Sequence, residues 1–516
     1  MRINRKIWLI VISLFLALII RFSIAPFSGC YDLTQFKNWS KQITIQGIHN
    51  AYPSISKDEQ YKYPYPVLYP PVSLYFFKIS GLIYKFFSPT FVIENHLFTF
   101  LMKLPLILLD IITSIIIFLF VRGKVGFKTA YWVMISYAFN PAIIFASSYW
   151  GQPDAIHSLC ILLSLISITK NKSKLSWMFI TIGIFTKPQV WIFVPVILLL
   201  TFIRFGIKRV IEGIFIGVIT ALVINFPFIW TNKLHKVVYI FIQIAHCMPF
   251  ISCGAHNLWW LLTFGRAYPV SENELFLGLI SYKIAGSLLM IIFFSYTLLR
   301  LCKNYSYTSI FLFSSFVAYI FFMFLTRIHS NHMYMVLPLL SMVWFLDKRL
   351  KWIYFTLSVT IFANMSLHDG VIVNWLNTIS LGFIVNPSKI INSLINTCVL
   401  GYWIYILFTT KWKKDEEHII NIKAYILPLG SLGVILCSGV IAVLTIWKDF
   451  FISFGHNLVE EAYYTGWKKT LPCEHYLRIF DSMYNQLIYG LIGLSLFLTI
   501  GLLGYYLYIK KRKVSI

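Results

Sequence analysis

The sequence predicts an all-α, polytopic membrane protein with about 14 transmembrane helices. Three observations predict it. Of its 516 residues, 58% are hydrophobic and only 12% charged, against roughly 45–50% and 25% in a soluble domain. The mean hydropathy is +0.74. The apolar residues gather into runs separated by short polar stretches, and a spanning helix takes about 20 of them, which leaves no room for a separate soluble domain.

The net charge of +25 follows from short Lys/Arg clusters between apolar runs. No single basic face forms, so the charge reads as membrane topology and excludes a nucleic-acid partner. Clusters occur at MRINRK (1–6), VRGKVGFK (121–128), KNKSK (170–174), RFGIKR (204–209), RLCK (300–303), DKRLK (347–351), KWKKDEEH (411–418) and KKRK (510–513). With all of them cytoplasmic, the spans between them come in pairs.

The first run, about 7–27, lacks a small-x-small cleavage site and is expected to be an uncleaved span with a cytoplasmic N-terminus. The following spans are expected near 97–120, 129–148, 155–169, 175–188, 190–204, 210–230, 276–300, 308–326, 333–346, 351–366, 392–410, 424–446 and 484–508. Residues 66–87 open with three prolines and contain Lys78 and Lys85. They suit a helix lying in the outer interface or re-entering it. Residues 371–386 would break the parity and are expected as a half-buried external segment.

Placed this way, the unusual polar residues fall on one side: GCYDLTQFKNW (29–39), WGQPD (150–154), TKPQ (186–189), CGAHNLWW (253–260), TRIHSNH (326–332) and the acidic-aromatic loop 447–483. A transporter would more naturally scatter ionisable groups at the midplane.

Each cluster carries two readings. Asp32 is suited to accept a proton from an acceptor hydroxyl or to cap the helix on which Phe36 and Trp39 recur. In YWGQPD, Tyr149 and Trp150 suit stacking on a sugar whose hydroxyls Gln152 and Asp154 would bind. Equally, Gly151 and Pro153 suit a tight turn with Asp154 capping the next helix. Lys187 stands among apolar residues and needs an anion, or else snorkels to the interface. Arg327, His329 and His332 present cations fit for a phosphate oxyanion. Lys103 and Asp110 share one helix face and suggest a buried ion pair or a polar link between helices. Trp259, beside Asn257 and Trp260, reads as a ligand wall or an interface belt. In the loop 447–483, Glu460, Glu461, Trp467 and Lys468 suit a cover over the site or an amphipathic loop on the bilayer.

Of the 8 cysteines, none form a CxxC, and a disulfide among Cys30, Cys247, Cys253 and Cys473 stays open. No DxD occurs, so no metal cofactor is expected.

The order of these motifs resembles that of one family. An external Asp after the first span is followed by YPPVSLY, KLPLILLD, NPAIIFASSYWGQPDA, TKPQ, NLWW and TRIHSNH. The series resembles the GT-C superfamily of membrane glycosyltransferases, above all the bacterial mannosyltransferase-like group related to GPI mannosyltransferase II. The likeness runs over about residues 29 to 340. It implies a GT-C-type catalytic module over 1–346, with juxtamembrane helices in a first external loop 28–96, and a variable transmembrane part over 347–516.

The resemblance further implies a polyprenyl-phosphate-linked hexose donor, with mannose the family's sugar, used outside the cytoplasm by an inverting single displacement. Asp32 would be the base, and Arg327, His329, Lys187 and His332 would bind the donor phosphate. Trp150, Gln152, Asp154, Tyr69 and Trp259 would bind sugar or acceptor. Ser330 and Asn331 depart from the family's TRMHER-type stretch. The expected partners are membrane lipids, the lipid-linked donor, and a glycan, lipid-linked glycan or protein acceptor. The expected location is a bacterial plasma membrane, with the ER membrane as alternative. A lipid-linked oligosaccharide transporter or flippase, or a surface polysaccharide polymerase or ligase, are the competing classes.

Overall fold

The computed structural model describes residues 5–27, 31–52 and 66–410, with single positions between 445 and 499. The chain divides into two compact units, Met1–Ala51 with Val67–Glu417, and Tyr52–Pro66 with His418–Ile516. Every element below belongs to the first. Of the loop 447–483 only single positions are described, and Glu460, Glu461, Trp467 and Lys468 lie outside the described residues.

Helix α1 (Arg5–Ile24) turns Phe15 and Ile7 outward, as lipid contact requires, and buries Arg21 on its inner side. Helix α2 (Tyr31–Gln46) is amphipathic: Leu33, Phe36, Ser40 and Ile43 are buried along one face, at the spacing of one helical stripe. That stripe meets α3 (Pro71–Phe87), which starts on Pro70 and Pro71. The two pack closely because a Cβ on Gly81 of α3 would lie 2.3 Å from Thr44 Oγ1. Phe36 stacks on Phe77 at 5.0 Å, and Ser40 Oγ donates to the Phe77 carbonyl at 2.6 Å.

Helix α4 (His96–Val125) is 30 residues long. Asn95 caps it, accepting from the Leu97 amide at 2.8 Å. Helices α5 (Phe127–Ala138), α6 (Pro141–Ile144), α7 (Asp154–Thr169), α8 (Ser173–Ile184), α9 (Val194–Phe205), α10 (Ile207–Trp230), α11 (Leu234–His246) and α12 (Leu258–Leu262) follow. A hairpin of two short strands, Leu275–Phe276 and Ile280–Ser281, leads into α13 (Tyr282–Lys303). Helix α14 (Tyr307–Phe324) is buried from Ser309 to its end and forms the centre of the bundle, as a helix apolar on all sides does. The unit closes with α15 (Val336–Ser341), α16 (Lys348–Ser366), α17 (Gly370–Thr378) and α18 (Val385–Thr409).

The protein is thus an all-α polytopic membrane protein. Among the described residues 7 helices are long and apolar enough to cross a membrane, or up to 9 when two bent pairs each count as one span. The expected spans 155–169 and 175–188 are α7 and α8, of only 16 and 12 residues, both largely buried against other helices. A helix surrounded by protein needs no lipid-length apolar face. The spans expected at 424–446 and 484–508 fall almost wholly outside the described residues. Residues 371–386 open with α17, bent 77° from α16.

Candidate functional site

The site is built where the long apolar run ends at YWGQPD. Residues Phe145–Trp150 wind as a π-helical turn, and Gly151 ends it in the left-handed region at φ 71° and ψ 33°. Glycine adopts that conformation at least cost, and a Cβ there would lie 3.0 Å from Lys103 Cγ and 3.1 Å from Leu33 Cδ1. Pro153 then precedes α7. The side chain of Asp154 does not cap this helix: Pro153 holds the cap position, and Asp154 is the first helical residue. Its carboxylate sits at the positive end of the helix dipole and faces neighbouring segments instead.

Those segments arrive from four other parts of the chain. Lys187 Nζ lies 2.8 Å from Asp154 Oδ1, and Asn331 Nδ2 donates to Asp154 Oδ2 at 2.6 Å. Gln152 Nε2 donates to Asp32 Oδ2 at 2.7 Å. Gln152 Oε1 accepts from Tyr69 Oη at 3.4 Å and from Asn331 Nδ2 at 3.5 Å. Lys187 Nζ also stands 5.6 Å from the Tyr69 ring centroid. Beneath Asp154, His157 Nε2 is 3.8 Å from Oδ1 and 3.2 Å from Gln189 Nε2. The anion that Lys187 needs is therefore a protein carboxylate.

Gln152, Asp154, Lys187 and Asn331 are all buried, whereas Asp32, on the first turn of α2, is exposed. The arrangement is a buried polar network that reaches the surface through one carboxylate. Buried polar groups hold a geometry when every member has a partner, and here the network fixes the Gln152 amide that grips Asp32.

Residues 326–332 run beside the network. Cys253 and Gly254 bridge His329, and the Cys253 amide donates to the Ile328 carbonyl at 2.9 Å. Cys247 and Cys253 are both free thiols. Burial pulls the His329 imidazole below its ordinary 6.5; Asp32 and Asp154 oppose this and Lys187 reinforces it. The expected cation is thus a neutral ring near pH 7, which still donates through one N–H. The His332 ring lies 5.2 Å from it. Arg327 is occupied as well: its Nε donates to Glu272 Oε2 at 2.9 Å, and its Nη2 pairs with Glu272 Oε1.

The two tryptophans are built into the protein's frame. Trp259 is fully buried, its indole donating to the Phe324 carbonyl at 2.6 Å, so it is a core residue and not a wall of the site. Trp150 is buried, and its indole donates to Asp369 Oδ2 at 2.7 Å. Lys103 and Asp110 do not pair: Lys103 Nζ donates to the Phe27 carbonyl, and Asp110 accepts from Tyr334 Oη at 2.5 Å. Asn331, Glu272 and Asp369 were not among the expected site residues. Among the described residues no group of three or more His, Cys, Asp and Glu side chains is placed to hold a metal ion.

Two solved structures are similar to this chain at low identity. The crystal structure of ArnT from Cupriavidus metallidurans bound to undecaprenyl phosphate is 14% identical with a TM-score of 0.45, covering 84% of this chain and 81% of that one. The same protein in the apo state is 14% identical with a TM-score of 0.43, covering 77% of this chain and 76% of that one. No family model and no curated protein matches the chain.

Proposed function

We propose that the chain is a GT-C-type glycosyltransferase that moves a hexose from a polyprenyl-phosphate donor to an acceptor on the extracytoplasmic face. One observation carries the reading. The exposed Asp32 carboxylate is held at 2.7 Å by Gln152, in a network whose other carboxylate, Asp154, is buried and already paired with Lys187. One carboxylate is thus free to take a proton, and the other is fixed. General-base chemistry needs that division.

In the reaction Asp32 accepts the proton of the acceptor hydroxyl as its oxygen attacks the anomeric carbon. The bond from that carbon to the phosphate oxygen breaks on the opposite side, and polyprenyl monophosphate leaves with inversion. The ring N–H groups of His329 and His332 face the developing phosphate charge, while Lys187 stays on Asp154. Gln152 holds Asp32, and Asp154 holds Lys187 and Asn331 behind it. No metal is needed, since a phosphate monoester is a stable leaving anion among these donors. Mannose is the sugar the motif resemblance favours, the acceptor is a glycan, lipid-linked glycan or protein, and the membrane is a bacterial plasma membrane. Helices α2 and α3 would lie at its outer surface.

The test is transfer of radiolabelled mannose from a short polyprenyl phosphate mannose in detergent with EDTA present, followed by glucose and galactose donors. Release of polyprenyl monophosphate with a new glycosidic bond supports the reading. Movement of labelled lipid-linked sugar across vesicles with no bond formed replaces it with a transporter.

A further inference from the structure

Glu272 has no part in the reaction proposed above, yet it is among the most heavily engaged carboxylates of the molecule. It is 1% exposed. It accepts from Arg327 Nε at 2.9 Å, from Arg327 Nη2 and from Thr326 Oγ1 at 2.7 Å, and Lys283 Nζ lies 3.5 Å away. Its backbone is fixed too: the amide donates to the Pro249 carbonyl at 3.0 Å, and the carbonyl accepts from the Lys283 amide at 3.0 Å. Burial alone would raise its pKa, but the hydrogen bonds from Arg327 and Thr326 and the Arg327 and Lys283 charges outweigh it, so the group stays below its ordinary value and ionised.

Arg327 sits where an anchor is needed. Its φ is +62°, a left-handed conformation that a residue with a Cβ holds only when its surroundings impose it. Its amide donates to the Phe250 carbonyl at 3.0 Å, and one residue further Ile328 accepts from Cys253. The next residues are His329, which bridges Cys253 and Gly254, and Asn331, which reaches Asp154 and Gln152. A guanidinium fork engaged on both oxygens of one carboxylate is a rigid two-point fixture.

Resting on the transferase reading, we infer that Arg327 and Glu272 form a clamp that holds the 326–332 turn and so delivers His329 and Asn331 to the site, and that Arg327 is a positioning residue and not a ligand of the donor phosphate. The two roles separate kinetically. A phosphate ligand lost raises KM for the donor, and Glu272→Gln, by freeing the guanidinium, would leave or improve binding. A clamp lost from either side lowers kcat with little change in KM, and the double variant is no worse than the worse single one. A turn displaced by about 1 Å costs about a hundredfold.

The experiment measures donor KM and kcat for Glu272→Gln, Arg327→Gln, the double variant and the milder Thr326→Val. In the same proteins, with no cysteine replaced, mass spectrometry follows the rate of maleimide labelling at Cys253. Equal falls in kcat near a hundredfold, a double variant no worse, a smaller fall in Thr326→Val and faster Cys253 labelling in the variants support the clamp. Full activity in Glu272→Gln beside a raised KM in Arg327→Gln overturns it, as does unchanged Cys253 labelling in both. The labelling is independent of catalysis. If the wild type transfers no sugar, the transferase reading falls and the labelling alone decides for or against the clamp.

Discussion

Asp154 and Asp110 are two buried carboxylates on helices that pack together, α7 and α4, and both have a cation near them. Asp154 meets Lys187 at 2.8 Å and, through Asn331 and Gln152, is linked to the exposed Asp32. Asp110 accepts from Tyr334 and interacts electrostatically with Arg21, and all three side chains are buried. The ingredients are the same; the difference is the outlet. A closed network of this kind can only hold helices together, whereas one that reaches solvent through a carboxylate can exchange a proton with a bound molecule.

The strongest way to break the comparison is to empty the Asp154 position. Asp154→Ala is expected to lower sugar transfer by about a hundredfold or more. It should also cost about 3 to 5 kcal/mol of stability, because Lys187 is left buried without its anion. The double variant Asp154→Leu with Lys187→Met separates the two effects. Thermal unfolding in detergent should return close to wild type, since a buried pair replaced by apolar groups is nearly neutral, while transfer stays lost. Asp110→Asn is the counterpart. It should cost about 1 to 3 kcal/mol, because the Tyr334 hydroxyl loses its charged acceptor, read as a lowered unfolding midpoint, with kcat of the folded protein changed no more than about threefold. If Asp110→Asn lost transfer at wild-type stability, the division into an open and a closed network would fail.

A smaller effect is expected at Gln152, whose amide only orients Asp32: Gln152→Ala should lower kcat about tenfold, with the donor KM nearly constant. The smallest concerns His329. Its folded-state pKa lies below the ordinary 6.5, by burial first, against Asp32 and Asp154 and with Lys187. Below pH 6.5 the unfolded chain therefore binds the proton more readily, so the stability this histidine contributes is present above 6.5 and is lost as pH falls toward the folded pKa. Unfolding midpoints measured from pH 7.5 to 5.5 should fall less steeply for His329→Gln than for wild type.

How much of this was legible in the sequence depends on the kind of residue. Asp32, Gln152, Asp154 and Lys187 stood out because polar groups beside long apolar runs carry a desolvation cost and so need a reason. The structure brings these four together. Asn331 is neutral and interrupts a motif, so nothing about it in isolation announces that it joins Asp154 to Gln152. Glu272 and Asp369 lie in connecting segments with no periodicity, and their partners Arg327 and Trp150 come from distant positions. Trp259 shows the opposite error: a tryptophan beside a polar segment looks the same whether its ring faces a ligand or, as here, the core. The spacing of Lys103 and Asp110 placed them on one face of α4, and there each makes a polar link of its own, to Phe27 just past α1 and to Tyr334. The number of spans was the least legible quantity, because a helix buried among others, such as α8 with 12 residues, carries the same apolar run as a lipid-facing one.

The measurement that bears most directly on the central claim is sugar transfer by Asp32→Asn, with unfolding midpoint and binding of polyprenyl phosphate mannose followed in parallel. Asp32 is exposed, so the substitution should leave folding and donor binding at wild-type levels while transfer falls by about 10²- to 10⁴-fold. Transfer at the wild-type rate by a folded Asp32→Asn protein would contradict the account, since no other carboxylate of the cluster reaches solvent.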